Sequence, residues 1–240
     1  MKRTLYIAAR APRPGFTKTR LGSVIGHDRA AYLYAAFLRD LALRFNTAPF
    51  DVGWFVTPAN SWPEIVPYVA TGNHPKAVIS QPDGDWTARQ RALFAAMDER
   101  NEVRTLLIAS DSPQISVESV CHAFSLLEMH DVVLGPVHDG GYYLIGMRVP
   151  AACRVFDGVA MSQSDVLAQL VTRAHEFGYS VGLAEPTFDV DEFNDLAALS
   201  AEALNRADLA VSRSALRALG LLPTQQIHRD LVFAGHEAKR

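Results

Sequence analysis

The chain has only two cysteines, Cys121 and Cys153, and neither lies in a CxxC pair or beside a histidine cluster. A disulfide framework and a thiolate metal site are therefore not expected. Both thiols read as reduced residues within apolar stretches, which suits a cytoplasmic compartment. A basic excess is missing as well: 23 Lys and Arg stand against 26 Asp and Glu, a net charge of −3. Polymeric nucleic acid, whose backbone needs clustered positive charge on one face, is not an expected partner. No apolar run approaches the roughly 18 residues of a membrane span, and Arg10 breaks the opening apolar stretch too soon for a signal peptide. No membrane association is expected. The histidines are scattered without HxxxH spacing, and GxxxxGK[ST], GxGxxG after the first strand, GxSxG and SxxK are all absent. Zinc hydrolysis, P-loop chemistry, dinucleotide binding and covalent serine catalysis thus lack support.

What is present is a globular composition, 49% apolar and 20% charged, enough to bury one core. Short apolar runs alternate with segments of helical period, the pattern of strands threaded through crossover helices. The runs predict strands at Thr4–Ala9, Val52–Thr57, Ala77–Ser80, Thr105–Ala109, Asp131–Gly135, Tyr142–Met147 and Tyr179–Ala184. Their few polar positions suit parallel strands covered on both faces. Between His27 and Phe45, Leu33, Phe37 and Leu41 fall at i, i+4, i+8 beside Tyr34 and Leu38, which predicts an amphipathic helix. Further helices are expected around Thr87–Glu99, Ser116–His130, Gln163–Phe177 and Glu192–Leu204. Ser162 with Asp165 resembles a capping box, and Gly178 stands where a helix C′ glycine belongs. Residues 1–220 read as a single domain and 221–240 as a C-terminal appendage, whose Leu231-Val232-Phe233 triplet would fit a homodimer contact.

Four segments could carry chemistry. After the first strand, Arg10 to Leu21 holds Arg10, Arg13, Lys18 and Arg20 together with Pro12, Pro14 and Gly15, and the chain has six bases and no acid before Asp28. A loop at the carboxyl edge of an α/β sheet, rich in cations and backbone N–H groups, suits a di- or triphosphate; a solvated basic loop would look the same. The fourth strand runs into Ser110-Asp111-Ser112-Pro113. Asp111 there suits Mg²⁺, which takes one or two carboxylates plus phosphate oxygens, or it caps the next helix. In His138-Asp139-Gly140-Gly141, the glycines allow close approach of a ligand and Asp139 could orient an acceptor, although the same residues fit a hairpin turn. Asp189, Asp191, Glu192 and Asp195 stand at a strand-to-helix junction, where the helix dipole alone favours acids. Alternation puts Asp189 and Asp191 on one side of an extended backbone, so one of them could join Asp111.

Taken together, Ala9 to Leu21, Asp111-Ser112-Pro113, Gly135 to Gly146 and Asp189-Val190-Asp191 resemble the DUF2064 family, of the nucleotide-diphospho-sugar transferase (glycosyltransferase A-type) superfamily. The resemblance spans roughly residues 4 to 200. It implies a three-layer α/β/α sandwich with a mixed, mostly parallel central sheet, Rossmann-like, binding a nucleotide at the carboxyl edge with Mg²⁺ or Mn²⁺. By that analogy Asp111 and Asp191 match metal carboxylates, and Asp191 lies in a segment similar to the Asp-Thr-Pro-Glu-Asp-Leu ending of sugar-activating cytidylyltransferases. Arg10, Lys18 and Arg20 match a phosphate loop, and Gln81 and Asp85 lie in a segment toward the base or ribose; from the residues themselves, Arg13, Gly15, Gly140 and Gly141 are also expected to bind the nucleotide. The family more often has acids where this chain has Gln114 and His138, a Gly-x-Arg-like run at Trp86-Thr87-Ala88-Arg89, and Pro-Trp-Ser-Thr at Ala160-Met161-Ser162-Gln163.

The expected activity is a metal-dependent transferase acting on a small-molecule acceptor, with Lys18 and Asp139 as catalytic groups. The clustered cations suit a nucleoside triphosphate whose pyrophosphate must be stabilised as it leaves, favouring nucleotidyl transfer. The alternatives are glycosyl transfer from an NDP-sugar, and a nucleotide-binding protein with a decayed site.

Overall fold

The strand β1 (Thr4–Arg10) lies near the middle of a seven-stranded sheet and is buried over most of its length. Its alternation divides the core. Leu5, Ile7 and Ala9 face one apolar cluster while Tyr6 faces the other, as the two-residue period of a strand dictates. The computed structural model describes residues 3–71, 74–100, 102–148, 150–159 and 165–222.

After β1 come α1 (Thr19–Ile25), α2 (His27–Phe45), β2 (Asp51–Thr57), α3 (Trp62–Val69), β3 (Val78–Ser80), α4 (Trp86–Glu99), β4 (Thr105–Ala109) and α5 (Val117–Leu126). The remainder is β5 (Val132–Pro136), β6 (Tyr142–Met147), α6 (Val166–Glu176), β7 (Val181–Leu183), α7 (Asp195–Asn205) and α8 (Ala210–Ala218), with short 3₁₀ turns at Pro150–Phe156 and Ala207–Leu209. The sheet order is β3-β2-β1-β4-β6-β5-β7. All pairings are parallel except those of β6, which runs antiparallel to β4 and β5. The reason is local: residues 137–141 are too few for a crossover and close a hairpin. One face of the sheet packs on α1, α2, α3, α5, α7 and α8, and the other on α4, α6 and the 150–156 turn. This is the three-layer sandwich with a mixed, mostly parallel sheet that the family resemblance implies.

All seven expected strands are present, with ends moved by at most two residues, and α2 has the expected bounds. Gly178 takes φ 76° just past α6, as a C′ glycine should. Ser162 lies outside the described residues, so its pairing with Asp165 is not visible; Asp165 itself accepts from Gln169 Nε2 at 2.7 Å. The 116–130 and 192–204 helices begin later or end earlier than expected. Ser116 caps α5 through Ser119 N–H at 3.0 Å. Asp195 is the first residue of α7, and its carboxylate holds the N–H groups of Asp191 and Glu192 at 2.9 and 2.7 Å.

Three helices escape the sequence reading. α1 is short, and α3 contains Pro63 and Pro67, yet Pro63 falls in the first turn, where its missing N–H has no partner to lose. Buried Ile65 and Val69 then dock α3 on the core. α8 lacks a cap of its own. Instead the buried carboxylate of Asp40, on α2, accepts from Val211 and Ser212 N–H at 3.0 and 2.7 Å. Residues 223–240, including Leu231-Val232-Phe233, lie outside the described residues; Leu221 and Leu222 pack against the larger core. No helix among the described residues is long and apolar enough to cross a membrane.

Candidate active site

β1 and β4 are neighbours at the point where the strand order reverses: from β1 the chain continues to β2 toward one edge of the sheet, and from β4 to β5 toward the other. The carboxyl ends of such a pair form a crevice where open α/β sheets bind ligands. The chain places Lys18 after β1 and Asp111 after β4. Across this crevice the Lys18 ammonium stands 2.9 Å from Asp111 Oδ1 and 2.7 Å from Asp191 Oδ1.

Each of these side chains is held by a specific device. After β1 the backbone turns through Pro12-Arg13-Pro14-Gly15, with Gly15 at φ 72° and Phe16 and Thr17 N–H groups donating to Arg13 C=O. Lys18 follows in the left-handed conformation, φ 49° and ψ 48°, at the head of α1. That conformation costs a non-glycine residue on the order of 1–2 kcal/mol and is found where surroundings over-determine it. Asp191 arrives by a different route. Beyond β7 the chain bridges Val137 through Thr187, and Val190 N–H donates to Asp111 C=O at 3.0 Å. Val190 is fully buried, which leaves the flanking Asp189 and Asp191 at the crevice.

Two supports beneath the site were not visible in the sequence. The Tyr34 hydroxyl accepts from Arg10 N–H at 2.9 Å and lies 2.7 Å from Ser110 Oγ, which donates to Ala8 C=O at 2.7 Å. This chain of bonds ties the end of β1 to the end of β4, and burial pushes the Tyr34 phenol well above its ordinary value. In the sequence Tyr34 reads only as part of an apolar stripe. Below the 111–115 loop, Arg206 Nη1 donates to Gln114 C=O at 2.6 Å and Arg44 Nη1 to Ile115 C=O at 2.9 Å. Both guanidiniums share the Asp208 carboxylate, at 2.8 and 2.5 Å. Gln114 Nε2 donates to Thr187 Oγ1 at 2.9 Å, so Gln114 fastens the segment between β7 and α7 that carries Asp191.

The electrostatics follow from burial and sign. Burial would lower the Lys18 ammonium, and the two carboxylates outweigh it, holding it above its ordinary value. Burial would raise the Asp191 carboxyl, and Lys18, then Arg20 and Arg10, outweigh it in the opposite direction. Asp189 lacks such a partner: desolvation, with the charges of Asp191 and Asp139, pushes it up to about 6. The Lys18 side chain is 3% exposed whereas those of Asp111 and Asp191 are 38% and 43% exposed. A ligand therefore meets the carboxylates before it meets the ammonium.

The remaining candidates are distributed around this centre. Arg20 lies 3.6 Å from Glu192. Arg10 is exposed and lies over the Phe16 ring. Arg13 is turned to Glu64 on α3 through two contacts of 2.6 Å. Gln81 is buried, donating to Phe55 C=O at 2.8 Å and accepting from Arg89 at 3.2 Å. Asp85 caps α4 through Ala88 N–H at 2.8 Å. Asp139 accepts from Gly141 N–H at 2.9 Å, and Gly140 takes φ 87°, so the segment forms the hairpin turn that its sequence allows. The charge of Asp139 is near enough to add to the upward shift of Asp189.

Whether a divalent ion suits these residues depends on the donors. The carboxylates of Asp111 and Asp191 converge on one cationic point and are hard oxygen ligands, the set that Mg²⁺ or Mn²⁺ accepts when phosphate and water complete its shell. Among the described residues no group of three or more His, Cys, Asp or Glu is placed to hold a metal ion. The pair thus fits a metal that arrives with oxygen ligands of its own.

The fold is of the glycosyltransferase A type, shared with nucleotide-dependent transferases of known structure. A protein named as a nucleotide-diphospho-sugar transferase from Desulfovibrio desulfuricans G20 superposes with a TM-score of 0.79 at 28% identity, covering 91% of this chain and 97% of its own. A cytidylyltransferase from Leptospira borgpetersenii serovar Hardjo-bovis gives 0.53 at 13% identity over 95% and 100% of the chains. CMP:2-keto-3-deoxy-manno-octonic acid synthetase with CTP bound gives 0.50 at 13% identity over 85% and 98%. These two share the fold alone. The family resemblance read from the motifs is borne out: residues 61–163 match the model for a protein conserved in bacteria, DUF2064. That segment includes Asp111 and Asp139 to Gly141, while Lys18 and Asp191 lie outside it. No curated protein matches the sequence.

Proposed function

We propose that the protein is a metal-dependent transferase that binds a nucleotide at the β1/β4 crevice and moves a nucleotidyl group to a small-molecule acceptor. The observation that carries this reading is the convergence of Lys18, Asp111 and Asp191 at the switch point of the sheet. Cation and carboxylates in one place suit a substrate whose phosphates need both positive side chains and a bridging metal. The fold shared with the Desulfovibrio protein supports a nucleotide-dependent transferase in general, and that protein's name leans toward the glycosyl alternative.

In this reading Arg10, Lys18 and Arg20 bind the triphosphate, and Gly15, Gly140 and Gly141 let the backbone come close to it. Asp111 and Asp191 would hold Mg²⁺ or Mn²⁺, which supplies charge neutralisation to the phosphates when bound. An ionised phosphate oxygen of the acceptor, with the acceptor's remaining polar groups oriented by Asp139, attacks the α-phosphorus in line, so no proton has to be removed. A new P–O bond forms as the bond to the bridging oxygen breaks, and pyrophosphate leaves with its charge balanced by Lys18 and the two arginines. Gln81 and Asp85 act behind the nucleotide as supports of β3 and α4.

Glycosyl transfer from an NDP-sugar is the second reading, favoured by one observation. Arg13 is held by Glu64, so the loop presents fewer cations than its sequence suggests, and a diphosphate needs fewer. We further propose a single domain through residue 220, a homodimer through the apolar Leu231-Val232-Phe233 triplet of the tail, and a cytoplasmic location, which the two unpaired cysteines suit.

A thermal-shift panel of nucleoside triphosphates and NDP-sugars, with and without Mg²⁺ or Mn²⁺, tests the proposal. Ligand at 100 times Kd adds about 2.7 kcal/mol, roughly 5–10 °C for a domain of this size. Metal-dependent stabilisation by a triphosphate supports nucleotidyl transfer, and by an NDP-sugar the second reading. Stabilisation without any turnover would indicate a binding protein, and a flat panel would refute the proposal.

A further inference from the structure

The Lys18 ammonium occupies the point on which both proposed metal carboxylates converge. It lies 2.7–2.9 Å from the two oxygens, whereas Mg²⁺ would bind such oxygens at about 2.0–2.1 Å. Ammonium and metal thus compete for one position. Two carboxylates and one ammonium leave a single net negative charge, and Arg10 and Arg20 add positive field at Asp191. Both effects weaken the attraction for a free dication. Lys18 is also almost wholly buried, so leaving its carboxylates without a new anion would strand a desolvated charge. A phosphate chain provides that anion.

Resting on the proposed function, we infer that Lys18 is the resident cation of the Asp111–Asp191 pair and restricts the site to a divalent ion accompanied by a phosphate chain. The ammonium passes from the carboxylates to the phosphates as the metal enters. The ligand class is a metal–polyphosphate complex, and free Mg²⁺ or Mn²⁺ is rejected. Lys18 is then a specificity-determining residue, a role distinct from stabilising a leaving group. The left-handed backbone at this position, φ 49°, fixes the side chain's starting point within the crevice.

The test is Mn²⁺ binding to the full chain, followed by water-proton relaxation, which distinguishes slowly tumbling protein-bound Mn²⁺ from Mn²⁺ on free nucleotide. Mn²⁺ is titrated alone and then with ATP, GTP, CTP and UTP and their diphosphates. The variants are Lys18→Met, of similar size without charge, and Lys18→Gln, each checked for folding by circular dichroism. The parent should bind Mn²⁺ weakly alone and tightly with one of the nucleotides. Either variant should bind Mn²⁺ alone on the order of 10–1,000-fold more tightly than the parent does, the range expected on removing an adjacent charge. Equal affinity of parent and variant for Mn²⁺ alone would overturn the inference while leaving the proposed function standing. Tight Mn²⁺ binding by the variant, with no nucleotide-dependent binding by the parent, would retain the competition and refute the nucleotide reading. Should neither variant fold, the parent decides: Mn²⁺ bound equally well with and without nucleotide overturns the inference.

Discussion

The Lys18 ammonium and the Asp191 carboxylate, 173 residues apart in sequence, meet at 2.7 Å. Their meeting depends on devices at both ends: a proline-rich turn that leads Lys18 into the crevice, and a backbone bond from Val190 to Asp111 that brings Asp191 in beside it.

Asp40→Ala removes the acceptor for two N–H groups at the start of α8. Loss of hydrogen bonds to a buried carboxylate should destabilise the protein by about 1–3 kcal/mol in urea unfolding. Asp40→Asn keeps one acceptor and should fall between. A parent-like midpoint for Asp40→Ala would show that α8 does not depend on this cap.

Tyr34→Phe breaks the bonds from Arg10 N–H to Ser110. The expected loss is about 1–2 kcal/mol of stability, with weaker nucleotide binding because the end of β1 is no longer tied to β4. Calorimetry on the folded variant separates the two effects. Unchanged affinity would confine Tyr34 to the core.

Gly53 faces the Tyr6 ring, and a Cβ there would lie 2.5 Å from a ring carbon. The Tyr6 hydroxyl donates to buried Glu102 at 3.0 Å, which restrains the ring from moving aside. Gly53→Ala should cost about 1–3 kcal/mol by overpacking, read as a lower Tm. A neutral variant would mean that β2 and β3 yield easily.

Asp131 is held down to about 2 by Arg148, then by the Ser180 N–H, while burial works the other way. Its folded value is depressed below the usual 3.8, so its contribution to stability is fully present above about pH 4. That contribution is lost as pH falls from about 4 toward about 2. The acid sensitivity of Tm over this window should be smaller in Asp131→Asn than in the parent. Identical pH profiles would show that the Arg148 contact adds nothing to folding.

Much of this molecule could be read from local pattern. The strands and α2 follow from runs and periods confined to neighbouring residues, and Asp111 and Asp191 follow from their places after strands. What escaped depends on partners far along the chain. α8 is capped from α2, Arg44 and Arg206 brace a loop about 70 and 92 residues away, and Tyr34 joins two strand ends. The basic loop is the instructive case. Its sequence presents four cations, yet folding pairs Arg13 with Glu64, Lys18 with two aspartates and Arg20 with Glu192. Charge counted in sequence is an upper bound on charge offered to a ligand.

The central claim is that Asp111 and Asp191 bind a divalent ion together with a nucleotide. Calorimetric titration of the panel's best nucleotide into parent and Asp111→Asn, at several Mg²⁺ concentrations, addresses it most directly. The account predicts that parent affinity rises with Mg²⁺ and that the folded variant loses this dependence. An Asp111→Asn protein that keeps the parent's full Mg²⁺-dependent affinity would contradict it.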